Sequence, residues 1–170
     1  GGPTRTAGKI GQALSFDGVN DYVNAGIITF TGSAFSYSFW IKSGTLSSNR
    51  EMIAWGGPRY CGVNEDNVDH FMTCTVDGDT TGAARSTSIA DDNEWHHIAY
   101  TSTANSQSLY VDGVKESTAA ETLNVIDETF VIGQLSGVFY PGLIDDVRIY
   151  NRALSASEIT KLYNMGRCKR

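Results

Sequence analysis

The sequence predicts an all-β fold, a two-sheet antiparallel sandwich with one short helix near its C-terminal end. Three observations carry this. Short runs with period-2 alternation recur along the chain, Phe35-Ser36-Tyr37-Ser38-Phe39-Trp40-Ile41 being the clearest. Gly, Asp and Asn punctuate those runs at close intervals. A helical pattern appears once, at Ser155 to Tyr163, so strands do not alternate with helices as a parallel sheet would require.

The elements follow in order. Gln12 to Phe16 alternates and meets a turn at Asp17-Gly18-Val19-Asn20, and Tyr22-Val23-Asn24 resumes as a strand. In the next strand Phe35, Tyr37, Phe39 and Ile41 share one face and Ser36, Ser38 and Trp40 the other. Glu51 to Trp55 is a strand closed by Gly56-Gly57-Pro58. Arg59 to Val63 and Phe71 to Val76 read as a hairpin whose polar tip runs from Asn64 to His70. Cys61 and Cys74 are nearly equidistant from that tip. They face each other across the hairpin, as a disulfide or as two small buried thiols, with the disulfide preferred. A bridge implies an oxidising compartment and leaves Cys168 unpaired among the three cysteines.

Asp91 to Glu94 is a turn before a strand at Trp95 to Thr101. Gln107 to Val111 and Val114 to Ser117 form a hairpin across Asp112-Gly113. Phe130 to Gly133 and Gly142 to Tyr150 complete the strands. Ser155-Ala156-Ser157-Glu158 is a capping box, Ile159, Leu162 and Tyr163 form the apolar stripe, and Gly166 ends the helix.

Composition narrows the function. The 170 residues suit one domain, and 41% are hydrophobic, enough for a core. The formal net charge is -6, and Lys and Arg are scattered apart from a basic tail at 167–170. No basic stripe is present to neutralise phosphates, which argues against nucleic acid as a partner. No apolar run approaches the ~20 residues of a membrane span. An acidic surface suits Ca2+ and neutral sugars. His96 and His97 are adjacent, so a strand sends them to opposite faces, and zinc is not expected. The N-terminus carries no signal pattern and reads as a cut from a longer protein.

Three ordered motifs resemble laminin-G-like domains of the concanavalin A type. Gly8 to Val23 (Gly8-Lys9-Ile10-Gly11-Gln12-Ala13-Leu14-Ser15-Phe16-Asp17-Gly18) resembles their opening. Trp95-His96-His97-Ile98-Ala99 with Leu109-Tyr110-Val111-Asp112-Gly113 resembles their centre. Phe139 to Leu154, with the helix that follows, resembles their closing strand and helix. The resemblance covers residues 8–166 as one jelly-roll domain, with 1–7 as a linker remnant and 167–170 as a tail. It implies a non-catalytic extracellular module that binds glycan or a surface protein. Such domains occur as appendages of secreted glycoside hydrolases, adhesins and pilin-like proteins. A structural or protein-interaction domain of a surface filament is the rival reading, and a glucanase-type hydrolase a minor one. The glucanases of this fold carry a Glu-x-Asp-x-Glu strand that sets two carboxylates on one face, and this sequence has none.

The resemblance also implies a structural calcium, with Asp145 and Asp17 as ligands and Asp21 or Asn20 beside them. A pentraxin-type calcium site would need acids after Ile132-Gly133-Gln134, where this chain has Leu135-Ser136-Gly137. For the ligand, Trp55 and Tyr60 beside a Gly-Gly-Pro break form the candidate aromatic platform. Arg59, Asn64 and Asp66 are the hydrogen-bonding candidates, and Tyr140 is a further aromatic one. Trp40 and Trp95 read as core.

Overall fold

A computed structural model describes residues 1–29, 34–46, 50–55, 59–63, 70–75, 83–120 and 128–167. The strands are β1 (Thr4–Ala7), β2 (Gln12–Asp17), β3 (Val23–Ile28), β4 (Phe35–Lys42), β5 (Arg50–Trp55), β6 (Arg59–Val63), β7 (Phe71–Thr75) and β8 (Ala84–Ile89). They continue with β9 (His96–Thr103), β10 (Ser106–Val111), β11 (Val114–Ala120), β12 (Glu128–Ile132), β13 (Gln134–Leu135), β14 (Val138–Phe139) and β15 (Pro141–Tyr150). The helix α1 spans Ala156–Arg167. A seven-stranded sheet has the order β1-β2-β15-β4-β9-β10-β11, and a six-stranded sheet the order β3-β12-β5-β6-β7-β8. The short pair β13-β14 stands apart, and all pairings are antiparallel. This is the expected two-sheet sandwich.

Alternation in β4 decides what lies between the sheets. Phe35, Tyr37, Phe39 and Ile41 point inward with Ile98, Tyr100, Leu109 and Val111 of the same sheet. Ile53, Cys61, Val63, Met72, Cys74 and Phe130 face them from the six-stranded sheet. Tyr37 stacks on Tyr100 with ring centroids 5.1 Å apart, and its hydroxyl lies 3.3 Å from Cys61 Sγ. Cys61 and Cys74 are register partners with Cα atoms 4.2 Å apart and form the expected disulfide, fully buried.

A second, smaller core lies on the outer face of the seven-stranded sheet. There Ala99 and Tyr110 meet Leu154 and Ile159, with Tyr150 and Leu162 at the margin. Trp40 is buried here, under α1, and not between the sheets; it stacks on Tyr163 at 5.7 Å. Ser36, also on this face, directs the chain from β15 into α1. Its hydroxyl donates to the Arg152 carbonyl and accepts from the Leu154 amide, both at 2.9 Å. The capping box forms as read: Ser155 N donates to Glu158 Oε2 at 2.9 Å, and Glu158 N donates to Ser155 Oγ at 3.4 Å. The Arg152 guanidinium holds Glu158 with two contacts, 3.0 and 2.6 Å, and this first, then the cap, pulls its carboxyl down to about 2.

Three expectations change. Residues 4–7, read as a linker remnant, form β1 and pair with β2 along its length. The helix does not stop at Gly166 but runs to Arg167: Gly166 does not take the positive φ of a helix-ending glycine, and it lies against the Trp40 ring, where no side chain fits. Simple alternation fails in β15. A bulge between Asp145 and Arg148, with Asp146 at φ 48°, shifts the pattern by one residue, so that Ile144, Val147 and Ile149 all face the core.

Candidate ligand surface

The helix covers the outer face of the seven-stranded sheet, while no described helix covers the six-stranded one. Period two and the register fix what that outer face carries. Cys61, Cys74, Ala84, Ile53 and Phe130 are core-facing, so residues 60, 62, 73, 85 and 131 are on the opposite face, Gly62 and Thr73 buried there. One row across the sheet is Asn24, Val131, Ala54, Tyr60, Thr75, and a second is Gly62, Thr73, Arg85. Tyr60, Val131 and Arg85 are half-buried and Asn24 is exposed. A ring, a guanidinium and a carboxamide on one flank are suited to a sugar, with an apolar face for C–H groups and donors for hydroxyls, while Thr73 is buried.

The expected site residues divide on this frame. Tyr60 is on the outer face. Trp55 and Arg59 are register partners at the end of the β5-β6 hairpin, and residue 55 also pairs with Phe130. The side chains of Trp55 and Arg59 lie outside what the structure describes. Asn64 and Asp66 lie outside the described residues, as does Cys168. Tyr140 is corrected: it is completely buried beside Phe16, at 6.5 Å between ring centroids, and its ring meets no ligand. Arg85 and Asn24 carry no signal in the sequence that marks them as site residues. Ala84–Ile89 alternates weakly in hydrophobicity, so β8 gave no strand signal, and its pairing with β7 is what brings Arg85 to the surface.

The expected calcium ligands do not converge. Pro141 pairs with Asp17, and Asp145 lies four residues further along β15, about 13 Å at ~3.3 Å per residue. Nor does the donor set fit a hard cation. Asp145 Oδ2 accepts from Ile10 N and Oδ1 from Asp146 N, each at 2.7 Å, so amide hydrogens meet this carboxylate where a calcium shell needs oxygens. Asp17 Oδ1 accepts from Val19 N at 2.8 Å and Asn20 N at 3.1 Å, and Asp21 Oδ2 accepts from Asp17 N at 3.2 Å. These bonds, Val19's first, hold the Asp17 carboxyl below its usual range. Arg148 Nε pairs with Asp146 Oδ2 at 2.9 Å. Among the described residues no three His, Cys, Asp or Glu side chains gather at one point. The segment after Gly133, where a pentraxin-type site would carry acids, is the tight β13-β14 turn at Ser136-Gly137.

The adjacent histidines are set apart as their register requires. His96 Nδ1 lies 2.9 Å from Asp112 Oδ2 and Nε2 lies 3.0 Å from Asp92 Oδ1. The Asp112 contact first, opposed by burial and helped by Asp92, pushes His96 up to about 9. Asp112 Oδ1 also accepts from His97 N at 2.9 Å, so the Asp112-Gly113 turn anchors the start of β9. His97 lies under α1 against Trp40, and burial pushes it down to about 4.

The two antiparallel sheets define a jelly-roll sandwich. The chain belongs to the concanavalin A-like lectin/glucanases superfamily, whose profile matches residues 17–160. Domain 4 of AbnA, an extracellular arabinanase from Geobacillus stearothermophilus solved with arabinotriose, superposes with a TM-score of 0.77 at 19% identity, over 96% of this chain and 82% of that one. The ligand-binding domain of botulinum neurotoxin serotype D, solved with N-acetylneuraminic acid, gives 0.73 at 16% identity, over 95% of this chain and 44% of that one. A heptameric SAP-like pentraxin from Limulus polyphemus gives 0.69 at 12% identity, over 88% and 80%. At these identities the likeness is one of fold. This chain spans less than half of the neurotoxin domain. No curated protein matches it by sequence.

Proposed function

We propose that this domain binds carbohydrate without transforming it, as one module of an extracellular protein, and holds the sugar on the outer face of the six-stranded sheet. The observation that carries the reading is the asymmetry of the sandwich. One outer face is filled by α1, and the other presents Tyr60, Arg85 and Asn24 in adjoining rows. The fold shared with a domain solved with arabinotriose supports it. The buried disulfide supports an oxidising compartment. The use of carboxylates supports a non-catalytic role: Asp145, Asp17, Asp112 and Glu116 are each committed to backbone amides.

The test is titration calorimetry against arabinotriose and N-acetylneuraminic acid, preceded by a glycan array to widen the choice of sugar. Tyr60→Ala should weaken the sugar that binds about tenfold, roughly 1.4 kcal/mol, while the unfolding midpoint stays near that of the parent. Unchanged affinity in Tyr60→Ala would remove the outer face as the site. Binding of no glycan at all would favour the protein-interaction domain, and release of shorter sugars would favour an enzyme.

A further inference from the structure

Around the turn before β9, where the exit of β4 is bonded to residues 91–93 and Tyr140 lies alongside, three buried oxygens have no hydrogen-bond partner that meets the usual geometry. They are Asp91 Oδ1, Ser43 Oγ and Tyr140 Oη. Their residues are 1%, 3% and 0% exposed, so bulk water does not serve them. The surrounding backbone is closely tied. Asn93 N donates to the Ser43 carbonyl at 2.7 Å, and Leu46 N donates to Asp91 Oδ2, also at 2.7 Å. The segment leaving β4 is thereby pinned at both ends to the 91–93 turn, with Ser43 and Asp91 on its inner side. Asp91 Oδ2 is further met by His70 Nδ1 at 2.8 Å, so one carboxylate oxygen is satisfied twice and the other not at all. The Tyr140 hydroxyl reaches the same place: a Cβ on Gly142 would lie 2.7 Å from both Tyr140 Oη and the Lys42 carbonyl, next in chain to Ser43. Burial holds the Tyr140 hydroxyl above its usual range, and Ser43, near enough to lower it but not in hydrogen-bond geometry with it, and the charge of Asp91 act on it from the same side.

We propose that Asp91 Oδ1, Ser43 Oγ and Tyr140 Oη form a built site for one internal water molecule. Leaving three such atoms unpaired would cost about 1–3 kcal/mol each, and buried water with two to four polar partners is the usual remedy. Tyr140 and Ser43 each donate to the water, filling its two lone pairs, and the water donates to Asp91 Oδ1. A divalent cation is disfavoured by the same inventory, since two neutral hydroxyls and one free carboxylate oxygen fall short of the six to eight oxygens that calcium takes. The water joins the exit of β4, the turn before β9 and the entry to β15, and through Asp91 it reaches His70. It fixes these segments as one unit, independently of the sugar-binding reading.

Two measurements on the full chain test this. In a crystal structure at high resolution, a single peak should stand about 2.6–3.2 Å from all three oxygens. In solution, the amide of Leu46 should show a water-frequency nuclear Overhauser contact from a long-lived molecule. The Ser43→Ala/Tyr140→Phe double variant should lose that contact while its disulfide and its overall amide spectrum persist. If the variant does not fold, the parent measurements decide alone. A direct Tyr140–Asp91 hydrogen bond with no peak would overturn the proposal. So would a peak at about 2.4 Å with six or more oxygen ligands and a melting point that rises with added Ca2+, which would make the site a cation site.

Discussion

His97 is 2% exposed and packed against Trp40 at 5.1 Å and Tyr163 at 6.2 Å between ring centroids. Burial pushes its pKa down to about 4, Arg148 pushes the same way, and Asp112 opposes. The unfolded chain takes up this proton near pH ~6.5, whereas the folded chain does so only near 4. The linkage sign follows. Above ~6.5 both states are neutral and the group's contribution is complete; as pH falls toward 4 the unfolded state binds a proton that the native state refuses, and stability is lost. At ~1.4 kcal/mol per unit the full span is roughly 3 kcal/mol, and about 2 kcal/mol of it falls between pH ~6.5 and ~4.5. The neighbouring residue has the opposite sign. His96 has a folded pKa near 9, so its contribution is complete below ~6.5 and is lost as pH rises through 9. Its partners Asp92 and Asp112 are 44% and 33% exposed, so screening reduces that contribution to about 1 kcal/mol. Stability from this pair of residues therefore peaks near pH ~6.5.

The assay is urea unfolding across that range for the parent and for His97→Phe, which keeps a ring between Trp40 and Tyr163 and cannot titrate. Carboxylates titrate in both proteins, so the difference between the curves isolates His97. The parent should lose about 2 kcal/mol more than the variant between pH ~6.5 and ~4.5, at equal denaturant slopes. Parallel curves would refute the argument and mean that the imidazole is hydrated or protonated under the helix.

Five further outcomes are expected. Asp145→Asn should lower the melting midpoint by several degrees, for roughly 1–3 kcal/mol, by setting an amide donor against Ile10 N or Asp146 N. Excess EDTA should leave the parent's midpoint unchanged; a chelator-induced drop that Ca2+ restores and that is absent from Asp145→Asn would reinstate the calcium. Glu116 of β11 takes Thr87 N at 2.6 Å and Ser88 N at 3.0 Å, with both side-chain hydroxyls, across the edges of the two sheets; Glu116→Ala should cost about 2 kcal/mol and speed hydrogen exchange at those two amides selectively. Gly166→Ala should destabilise by about 1–3 kcal/mol, read by thermal melting, although helix propensity alone predicts a gain of about 1 kcal/mol; a higher midpoint would show that Trp40 yields. Reducing Cys61–Cys74 under denaturant and refolding in reductant should lower stability by about 2–3 kcal/mol, given the 13-residue separation.

The pattern of what could be read has a physical source. Local periodicity was sufficient for β4, for the β6-β7 hairpin with its disulfide and for the capping box, because each is decided within a dozen residues by sterics and nearest pairing. β1, β8 and β13 carry little hydrophobic contrast of their own and exist because a partner strand offers them hydrogen bonds. Asp145 shows the same limit at a single site. Its acidity and its place in the closing strand suggest a cation, but the bulge that follows turns Asp146 N onto one oxygen, and the Gly8–Ile10 loop brings Ile10 N to the other. Tyr140 next to Pro141 resembles a loop aromatic until the Tyr140 amide is seen bonded to the Gly133 carbonyl at 2.9 Å, which draws the ring inward. Tyr60 differs from these cases, because its placement follows from Cys61 alone. Once the two cysteines are taken to face each other inside the sandwich, the residue before Cys61 must point out. The disulfide therefore identifies the outer face of the hairpin as well as bracing it, and the surface proposed for the sugar rests on the same parity that closes the bridge.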